Sequence, residues 1–176
     1  MDTKLPVLYI GVLLALLASA SWFLIGQVIK TRRVESKFSK LQNKLKQEKG
    51  TSEDYYELGS IYLDKKMYVQ SVGLFQKAMK ASPDIAPENL ALIYNGLGFG
   101  YFAQEQYDLA IRQYKEALKL NPEYVVALNN IAFAYEKKQL INQALETYEE
   151  VLKLEATNTT AKGRVNSLKK RFIPSS

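Results

Sequence analysis

The stretch YNGLGFGYFAQEQYDLAIRQY, residues 94–114, places three glycines on alternate positions, Gly96, Gly98 and Gly100. A loop that binds phosphate needs such glycines after a strand and at the start of a helix. These glycines instead lie inside a stretch whose apolar residues recur with the period of a helix, which favours a structural role. The flanking sequence indicates what that role is.

The stretch belongs to an internal repeat. Segments beginning at Ser52, Ala91 and Val125 carry the same kinds of residue in the same slots, 39 positions apart from first to second and 34 apart from second to third. The shared small slot holds Gly59 in the first segment, Gly98 in the second and Ala132 in the third. The other matched slots hold Tyr55, Leu58, Tyr62, Ser71, Phe75, Ala78 and Pro83, then Tyr94, Leu97, Tyr101, Ala110, Tyr114, Ala117 and Pro122, then Leu128, Ile131, Tyr135, Ala144, Tyr148, Val151 and Ala156.

This pattern resembles the tetratricopeptide repeat, a helix-turn-helix unit of about 34 residues. The resemblance implies an all-α fold in which residues 51–158 form a right-handed superhelical stack of three helix pairs, at 52–85, 91–124 and 125–158. Residues 159–172 set apolar side chains on one stripe and are expected to form a capping helix, because a repeat stack needs a polar outer face at its end. Residues 173–176 remain as a tail.

Local features predict how the helices meet and where they end. The small slot is expected to receive a large side chain of the second helix, about twelve positions later, so that the two helices approach closely. Pro87, within the five additional residues APENL (86–90), predicts that the second pair's leading helix begins about one turn early. Asn121 is expected to end one helix and Pro122 to open the next. Gly96 and Gly100 have no glycine counterpart in the other repeats, so the repeat does not explain them.

Cysteine and histidine are both absent from the 176 residues. Their absence excludes disulfides, thiolate and imidazole metal ligands, cysteine nucleophiles and any triad with a histidine base. No paired acidic motif indicates a carboxylate site, and Glu149 with Glu150 fits a solvated helix face. We therefore expect a protein that is not an enzyme, with no catalytic residues, cofactor or metal.

Residues 1–29 are predicted to be a transmembrane anchor. From Leu5 to Ile29 the sequence LPVLYIGVLLALLASASWFLIGQVI contains no charged side chain. As a helix it would extend roughly 37 Å at ~1.5 Å per residue, enough to cross a hydrocarbon core of ~30 Å. The alternative is a signal peptide cleaved after Ala20, which would release a secreted or periplasmic protein. Apolar residues resume at once with Trp22, which favours the uncleaved anchor.

Positive charge is concentrated in two short segments. Residues 30–49 hold eight Lys or Arg against two Glu, residues 50–156 hold ten against fifteen acids, and residues 157–176 hold five and no acid. A nucleic-acid-binding protein more often spreads its bases over one folded face, so no nucleic-acid partner is expected. Because basic residues flank the span mainly on its C-terminal side, the repeats are predicted to face the cytoplasm or the stroma.

Residues 30–50 are predicted to form a basic amphipathic linker helix with its apolar side chains on one stripe. In one interpretation its bases rest on anionic lipid head groups, each contributing on the order of 1 kcal/mol. In the other it is a stalk or cap whose stripe packs on the first repeat, and the two interpretations are compatible. The predicted lipid-contacting residues are Lys30, Arg32, Arg33, Lys37 and Lys40.

The resemblance also implies a partner-binding groove, because the first helices of such repeats line a concave surface. Carried onto this chain, the groove residues are Tyr56, Leu92, Asn95, Phe99, Phe102, Val126, Asn129 and Phe133. Family members that clamp the carboxyl-terminal carboxylate of a chaperone use Lys, Arg and Asn in these slots, and this chain lacks most of that set. We expect the phenylalanines to receive an apolar helix or extended segment, with the asparagines bonding its backbone. The alternative is that the rings are core between repeats or are covered by the chain's own linker.

In size, order of parts and repeat number, the chain resembles the small thylakoid tetratricopeptide proteins of cyanobacteria and algal plastids that assist photosystem I assembly. The resemblance implies a single-pass thylakoid membrane protein that binds photosystem I subunits or assembly factors. Such a scaffold would act by raising the local concentration of membrane-bound partners. The alternatives are a receptor or tether in another membrane, and the secreted or periplasmic protein described above.

Overall fold

The computed structural model describes residues 4–172, which form eight α-helices and no strand. The all-α fold class predicted from the sequence is confirmed. The predicted tail, residues 173–176, lies outside the described residues. The helices are α1 (Lys4–Gln47), α2 (Ser52–Asp64), α3 (Tyr68–Ala81), α4 (Pro87–Ala103), α5 (Tyr107–Leu120), α6 (Val125–Lys137), α7 (Ile141–Leu154) and α8 (Thr159–Phe172).

The chain divides into two compact units, the first of which ends at Gln47 and consists of α1. This helix of 44 residues passes residue 29 without a break, so the predicted linker helix is the C-terminal part of α1. Every side chain from Leu8 to Ile29 is exposed. Within the described residues, α1 is the one helix long and apolar enough to cross a membrane, with a mean hydropathy of 2.2 over its most apolar window.

The second unit begins at Glu48 and contains three antiparallel helix pairs followed by α8. Each helix from α2 to α7 packs on the next one along the chain, and the first helices of neighbouring pairs, α2 with α4 and α4 with α6, also meet. Phe75 of α3 and Leu97 of α4 lie in one core cluster, while Tyr114 and Tyr148 lie in a second that reaches α8. The stack is therefore held together by side chains shared between consecutive helices.

The three alternating glycines mark where α4 contacts two different helices. A Cβ atom at Gly98 would lie 2.5 Å from the ring of Tyr114 on α5. A Cβ at Gly96 would lie 2.7 Å from the ring of Phe75 on α3, and one at Gly100 would lie 2.6 Å from Val72 on the same helix. Residues two apart on a helix differ by about 200° and residues four apart by about 40°, so the glycines serve opposite faces. Gly96 and Gly100, which the repeat pattern did not explain, therefore let α4 pack closely on α3 of the preceding repeat.

The expected spacing between the small slot and its large partner was wrong. Gly59 faces Phe75 and Gly98 faces Tyr114, so the large residue comes sixteen positions later rather than twelve. The position twelve later holds a small residue instead. In the first repeat this residue is Ser71, whose buried hydroxyl donates a hydrogen bond of 2.7 Å to the carbonyl of Gly59. The helices thus approach at a small residue on each side, with the aromatic ring one turn further on.

Local sequence explains some of the helix ends. Thr51 and Asp54 form a capping box at α2, in which each side chain accepts a hydrogen bond from the other's backbone N–H, at 3.1 and 2.9 Å. The early start of the second pair is confirmed, because α4 has Pro87 in its first turn. Pro122 does not open α6, which begins at Val125 after a turn. Asn121 is the residue that follows the last helical residue of α5, as expected.

The turn inside every repeat carries one residue with a positive φ, at Lys66, Glu105 and Gln139, with values of 59°, 60° and 61°. In the third repeat the N–H of Leu140 bonds the carbonyl of Tyr135 at 2.9 Å, and the equivalent bond occurs in the other two. This geometry is the Schellman motif, in which glycine is favoured at the left-handed position.

We therefore predict that Gln139→Gly stabilises the repeat unit. Glycine relieves the strain of the left-handed conformation, roughly 1–2 kcal/mol, but it also gives the unfolded chain more conformational entropy, which costs less than that. The free energy of unfolding is therefore expected to rise by about 0.5–1 kcal/mol. Chemical denaturation measures it. Gln113→Gly, the same change in the middle of α5, should instead cost about 1 kcal/mol. Loss of stability in both variants would contradict the strain argument.

Two buried phenols predict how stability depends on alkaline pH. Burial raises the pKa of Tyr114 above its usual range, and burial followed by the charge of Glu136 raises the pKa of Tyr148. The unfolded chain loses these protons near pH 10 while the folded chain keeps them, so the unfolding free energy should fall above about pH 10 by ~1.4 kcal/mol per pH unit for each phenol. Below pH 10 the two groups contribute no such dependence.

Tyr114→Phe should make the unfolding free energy fall less steeply above about pH 10, because one of the two buried phenols is removed. Denaturant titrations between neutral and strongly alkaline pH, on wild type and variant, compare the two slopes. Parallel profiles would mean that Tyr114 does not remain protonated in the folded state.

Candidate partner-binding groove

The first helices of the three pairs, α2, α4 and α6, form one side of a concave surface. Its central cavity, of about 460 Å³, falls within the range of ligand-binding pockets. The side chains around it are mainly aromatic or aliphatic, with polar groups interspersed. The lining residues are Tyr56, Ser60, Leu63, Asp64, Lys66, Tyr68, Phe75, Leu92, Asn95, Gly96, Phe99, Val126 and Asn130.

A second cavity of about 370 Å³ adjoins the first. Its lining includes Phe102 and Phe133, and it shares Tyr68, Phe99 and Asn130 with the central cavity. The two cavities therefore form one continuous groove along the repeats. Phe99 lies where they join and is 41% exposed, so its ring is available to a partner.

The structure brings seven of the eight predicted groove residues to this surface. Tyr56, Leu92, Asn95, Phe99 and Val126 line the central cavity, and Phe102 and Phe133 line the second together with Phe99. Asn129 lines neither cavity. Its amide nitrogen donates to the carbonyl of Val125 within α6 at 3.1 Å, so this side chain is held by its own helix.

Two of the three phenylalanines also hold the repeats together. The ring of Phe102 lies 5.2 Å from that of Phe133 and 5.3 Å from that of Tyr107, centre to centre. The guanidinium of Arg164 on α8 stands 4.8 Å from the centre of the Phe133 ring, within cation–π range. Phe99 is the ring whose exposed part has no such partner among the described aromatic contacts. The interpretation of the rings as core thus applies to Phe102 and Phe133 more than to Phe99.

A short hydrogen-bond chain runs from the groove lining to Tyr124, which lines neither cavity. Asn130 donates to the side-chain oxygen of Asn95 at 3.0 Å, and Asn95 donates to the hydroxyl of Tyr124 at 3.4 Å. Burial, and then repulsion from the nearby Tyr56 phenol, raises the pKa of Tyr124, while the bond from Asn95 partly lowers it. These three side chains are polar and uncharged at neutral pH, and the charged residues in the lining of the central cavity are Asp64 and Lys66.

Sequence reasoning missed Asn130, which joins both cavities and fixes Asn95. A signal was available, because Asn130 occupies the slot of Gly96 in the preceding repeat, one position after the slot that was chosen. Gly96 lines the central cavity as well. The adjacent slot therefore faces the groove in both repeats, and reading it would have identified Asn130.

The residues predicted to contact lipid lie on α1, in the other unit. Lys30, Arg32, Arg33, Lys37 and Lys40 are all exposed. Exposure on a helix that follows directly from the apolar segment fits the predicted role without testing it.

Comparison with solved structures agrees with this architecture. The first repeat domain of Spaghetti (RPAP3), bound to an HSP90 peptide, superposes with a TM-score of 0.63 at 22% identity, over 70% of this chain and 94% of that one. MamA superposes with a TM-score of 0.70 at 19% identity, over 80% and 81% of the two chains. At these identities the likeness concerns the fold alone.

Two family profiles match the repeats. One, described as TPR repeat, matches residues 98–139, and another, described as Tetratricopeptide repeat, matches residues 125–158. The second range coincides with the third repeat predicted from the sequence. Tetratricopeptide repeats are scaffolds for protein–protein interaction, with a concave surface for binding.

Relatives match far more of the chain. Ycf37 of Guillardia theta is 36% identical over 173 residues, which cover 98% of this chain and 97% of that protein. Ycf37 of Cyanophora paradoxa is 43% identical over 108 residues, covering 61% of this chain and 62% of its own length. The chloroplastic tetratricopeptide repeat domain-containing protein PYG7 of Arabidopsis thaliana is 33% identical over 97% of this chain and 56% of its own length. The chain therefore belongs to the ycf37 family of tetratricopeptide repeat proteins.

Proposed function

We propose that this protein is a membrane-anchored scaffold that assists the assembly or stability of photosystem I in the thylakoid membrane. The observation that carries the proposal is the presence, on one chain, of an apolar helix of membrane-crossing length and a repeat unit whose groove is lined mainly by uncharged side chains. The first would keep the protein in the membrane and the second would bind a protein partner. No step of this role requires catalysis.

The choice of membrane is supported by the relatives. The match to the Guillardia protein covers nearly the whole of both chains, the N-terminal helix included, and the Arabidopsis relative is chloroplastic by name. The assignment to photosystem I rests in addition on the resemblance, in size and order of parts, to the small thylakoid repeat proteins. In this proposal the repeats face the stroma or cytoplasm, because the basic residues from Lys30 onward follow the span.

The groove selects the kind of partner segment. A clamp for a terminal carboxylate needs several cationic side chains, whereas the lining of the central cavity contains one, Lys66, together with Asp64, and its other side chains are uncharged. An uncharged apolar helix or extended segment can bury Phe99 and Val126, which are 41% and 52% exposed. The neutral amides in the lining then satisfy polar groups of the segment without an ion pair.

The linker bases add a lipid contact in this proposal. Lys30, Arg32, Arg33, Lys37 and Lys40 would lie at the level of the head groups, where each base contributes on the order of 1 kcal/mol on an anionic surface. Their role is to fix the depth of α1 rather than to supply the anchorage itself.

Affinity capture tests the proposal. The tagged full chain, expressed in photosynthetic cells, is purified from detergent-solubilised membranes, and the proteins captured with it are identified by mass spectrometry. We expect photosystem I subunits or its assembly intermediates in the captured fraction, and resistance of the chain to extraction from membranes by alkaline carbonate. Capture of other membrane proteins alone would reject photosystem I and retain the scaffold, and release by carbonate would reject the anchor.

A further inference from the structure

The last helix presents an exposed basic surface that the groove does not use. Helix α8 contains five lysines or arginines and no acidic residue. Its apolar side chains Ala161, Val165 and Leu168 are buried in the core cluster that includes α7, whereas all five bases are exposed. The buried stripe is enough to cap the stack, so capping does not explain why α8 carries five bases.

Two of these bases form ion pairs with described residues. Lys169 pairs with Glu149 at 2.6 Å and Arg164 with Glu136 at 3.2 Å. The other three, Lys162, Lys170 and Arg171, have no carboxylate within ion-pair distance among residues 4–172. These three charges are therefore free to act on something outside the repeat unit.

These other three bases lie on the side of α8 that faces away from its buried apolar stripe. At about 100° per residue, Lys162 and Arg171 lie roughly 90° to either side of the buried stripe, and Lys170 lies opposite it. Phe172 continues the stripe beyond its buried part and is 41% exposed, with the Arg171 guanidinium 5.3 Å from its ring centre. An exposed helix side that carries three bases and no acid suits an anionic lipid surface.

The rest of the unit has the opposite charge. Residues 50–156 hold fifteen acids against ten bases, and residues 157–176 hold five bases and no acid. An anionic surface repels the first part and attracts the second, so the unit would orient with α8 toward the lipid.

We propose that the exposed side of α8, formed by Lys162, Lys170 and Arg171, contacts the anionic head groups of the membrane that holds α1. The contact is a second lipid-binding surface, distinct from the linker bases. It rests on the proposed anchorage, because the covalent link to α1 keeps the lipid concentration near α8 high and lets a weak contact persist. Its consequence is a repeat unit held in a fixed orientation rather than tumbling on its anchor.

The absence of cysteine from the chain allows a direct test. Ser167→Cys, on the exposed side of α8, is labelled with an environment-sensitive fluorophore in the full chain, which is reconstituted in nanodiscs of phosphatidylcholine with or without phosphatidylglycerol. We expect a blue-shifted emission with phosphatidylglycerol and none without it, and the shift should disappear at high salt. A label at Gln143→Cys, exposed on α7, should not respond.

Neutralisation identifies the responsible charges. Lys162→Gln with Lys170→Gln and Arg171→Gln should lower the ratio of lipid-bound to free α8 on the order of a hundredfold, since each base contributes about fivefold. The matched control, Lys77→Gln with Lys115→Gln and Lys153→Gln, removes three exposed charges from α3, α5 and α7 and should keep the shift.

Three results would overturn the proposal. These are an equal response in both lipids, no response in phosphatidylglycerol, or a response that needs added membrane proteins, which would make the partner an acidic protein. The same variants are also reconstituted in liposomes and extracted with alkaline carbonate. This extraction measures separately whether α1 is integrated in the bilayer. A chain that fails to integrate overturns the proposed anchor, whereas an integrated chain without a shift overturns the α8 contact alone.

Discussion

Replacing Gly98 by alanine is expected to lower the free energy of unfolding by about 1–3 kcal/mol, and replacing it by leucine by about 3 kcal/mol or more. The added Cβ would lie 2.5 Å from the ring of Tyr114, far inside van der Waals contact. Tyr114 is 1% exposed and cannot turn away, so α4 and α5 must separate to admit the methyl group. The strain exceeds the ~1 kcal/mol that alanine gains over glycine in a helix.

The matched control is Gly73→Ala in α3. A Cβ there has no heavy atom within 4 Å, so the same substitution keeps the helix gain and should raise stability by about 0.5–1 kcal/mol. Urea denaturation followed by circular dichroism compares the two variants. Opposite signs are expected, and a Gly98→Ala protein as stable as Gly73→Ala would show that α4 and α5 do not meet at this glycine.

The same glycines show how far sequence reasoning reaches. The small slot of Gly59, Gly98 and Ala132 was recognisable because the repeat places it three times in the same register. Gly96 and Gly100 serve the contact between α4 and the preceding repeat, and the other repeats fill that contact with different residues. A periodic pattern predicts what recurs, whereas a contact particular to one junction becomes visible only when both helices are placed.

The groove shows the same division. Slot positions sufficed to select Phe99 and Val126, since their direction depends on helical register alone. The bond from Asn130 to Asn95 joins residues 35 positions apart on different helices, and no spacing within one repeat indicates it. Asn129 was misleading for a local reason, because an asparagine inside a helix can bond the carbonyl four residues earlier, as it does here with Val125.

Phe99→Glu combined with Val126→Glu is expected to weaken partner binding by at least about a hundredfold, since a lost anchor costs ~2 kcal/mol and a carboxylate buried against an apolar segment costs more. Both side chains line the central cavity and are exposed, at 41% and 52%, so the fold does not depend on them. Phe102 is unsuitable for this test, because its ring packs on Phe133 and Tyr107.

Val69→Glu with Leu109→Glu provides the matched control. These changes add the same two charges at exposed positions, 69% and 41%, on α3 and α5, and neither residue lines a groove cavity. Partner capture from solubilised membranes, normalised to the amount of each full-length variant, should fall for the groove pair and remain for the control pair. Because both variants should melt at the wild-type temperature, equal capture by the two would show that partners bind elsewhere on the repeats.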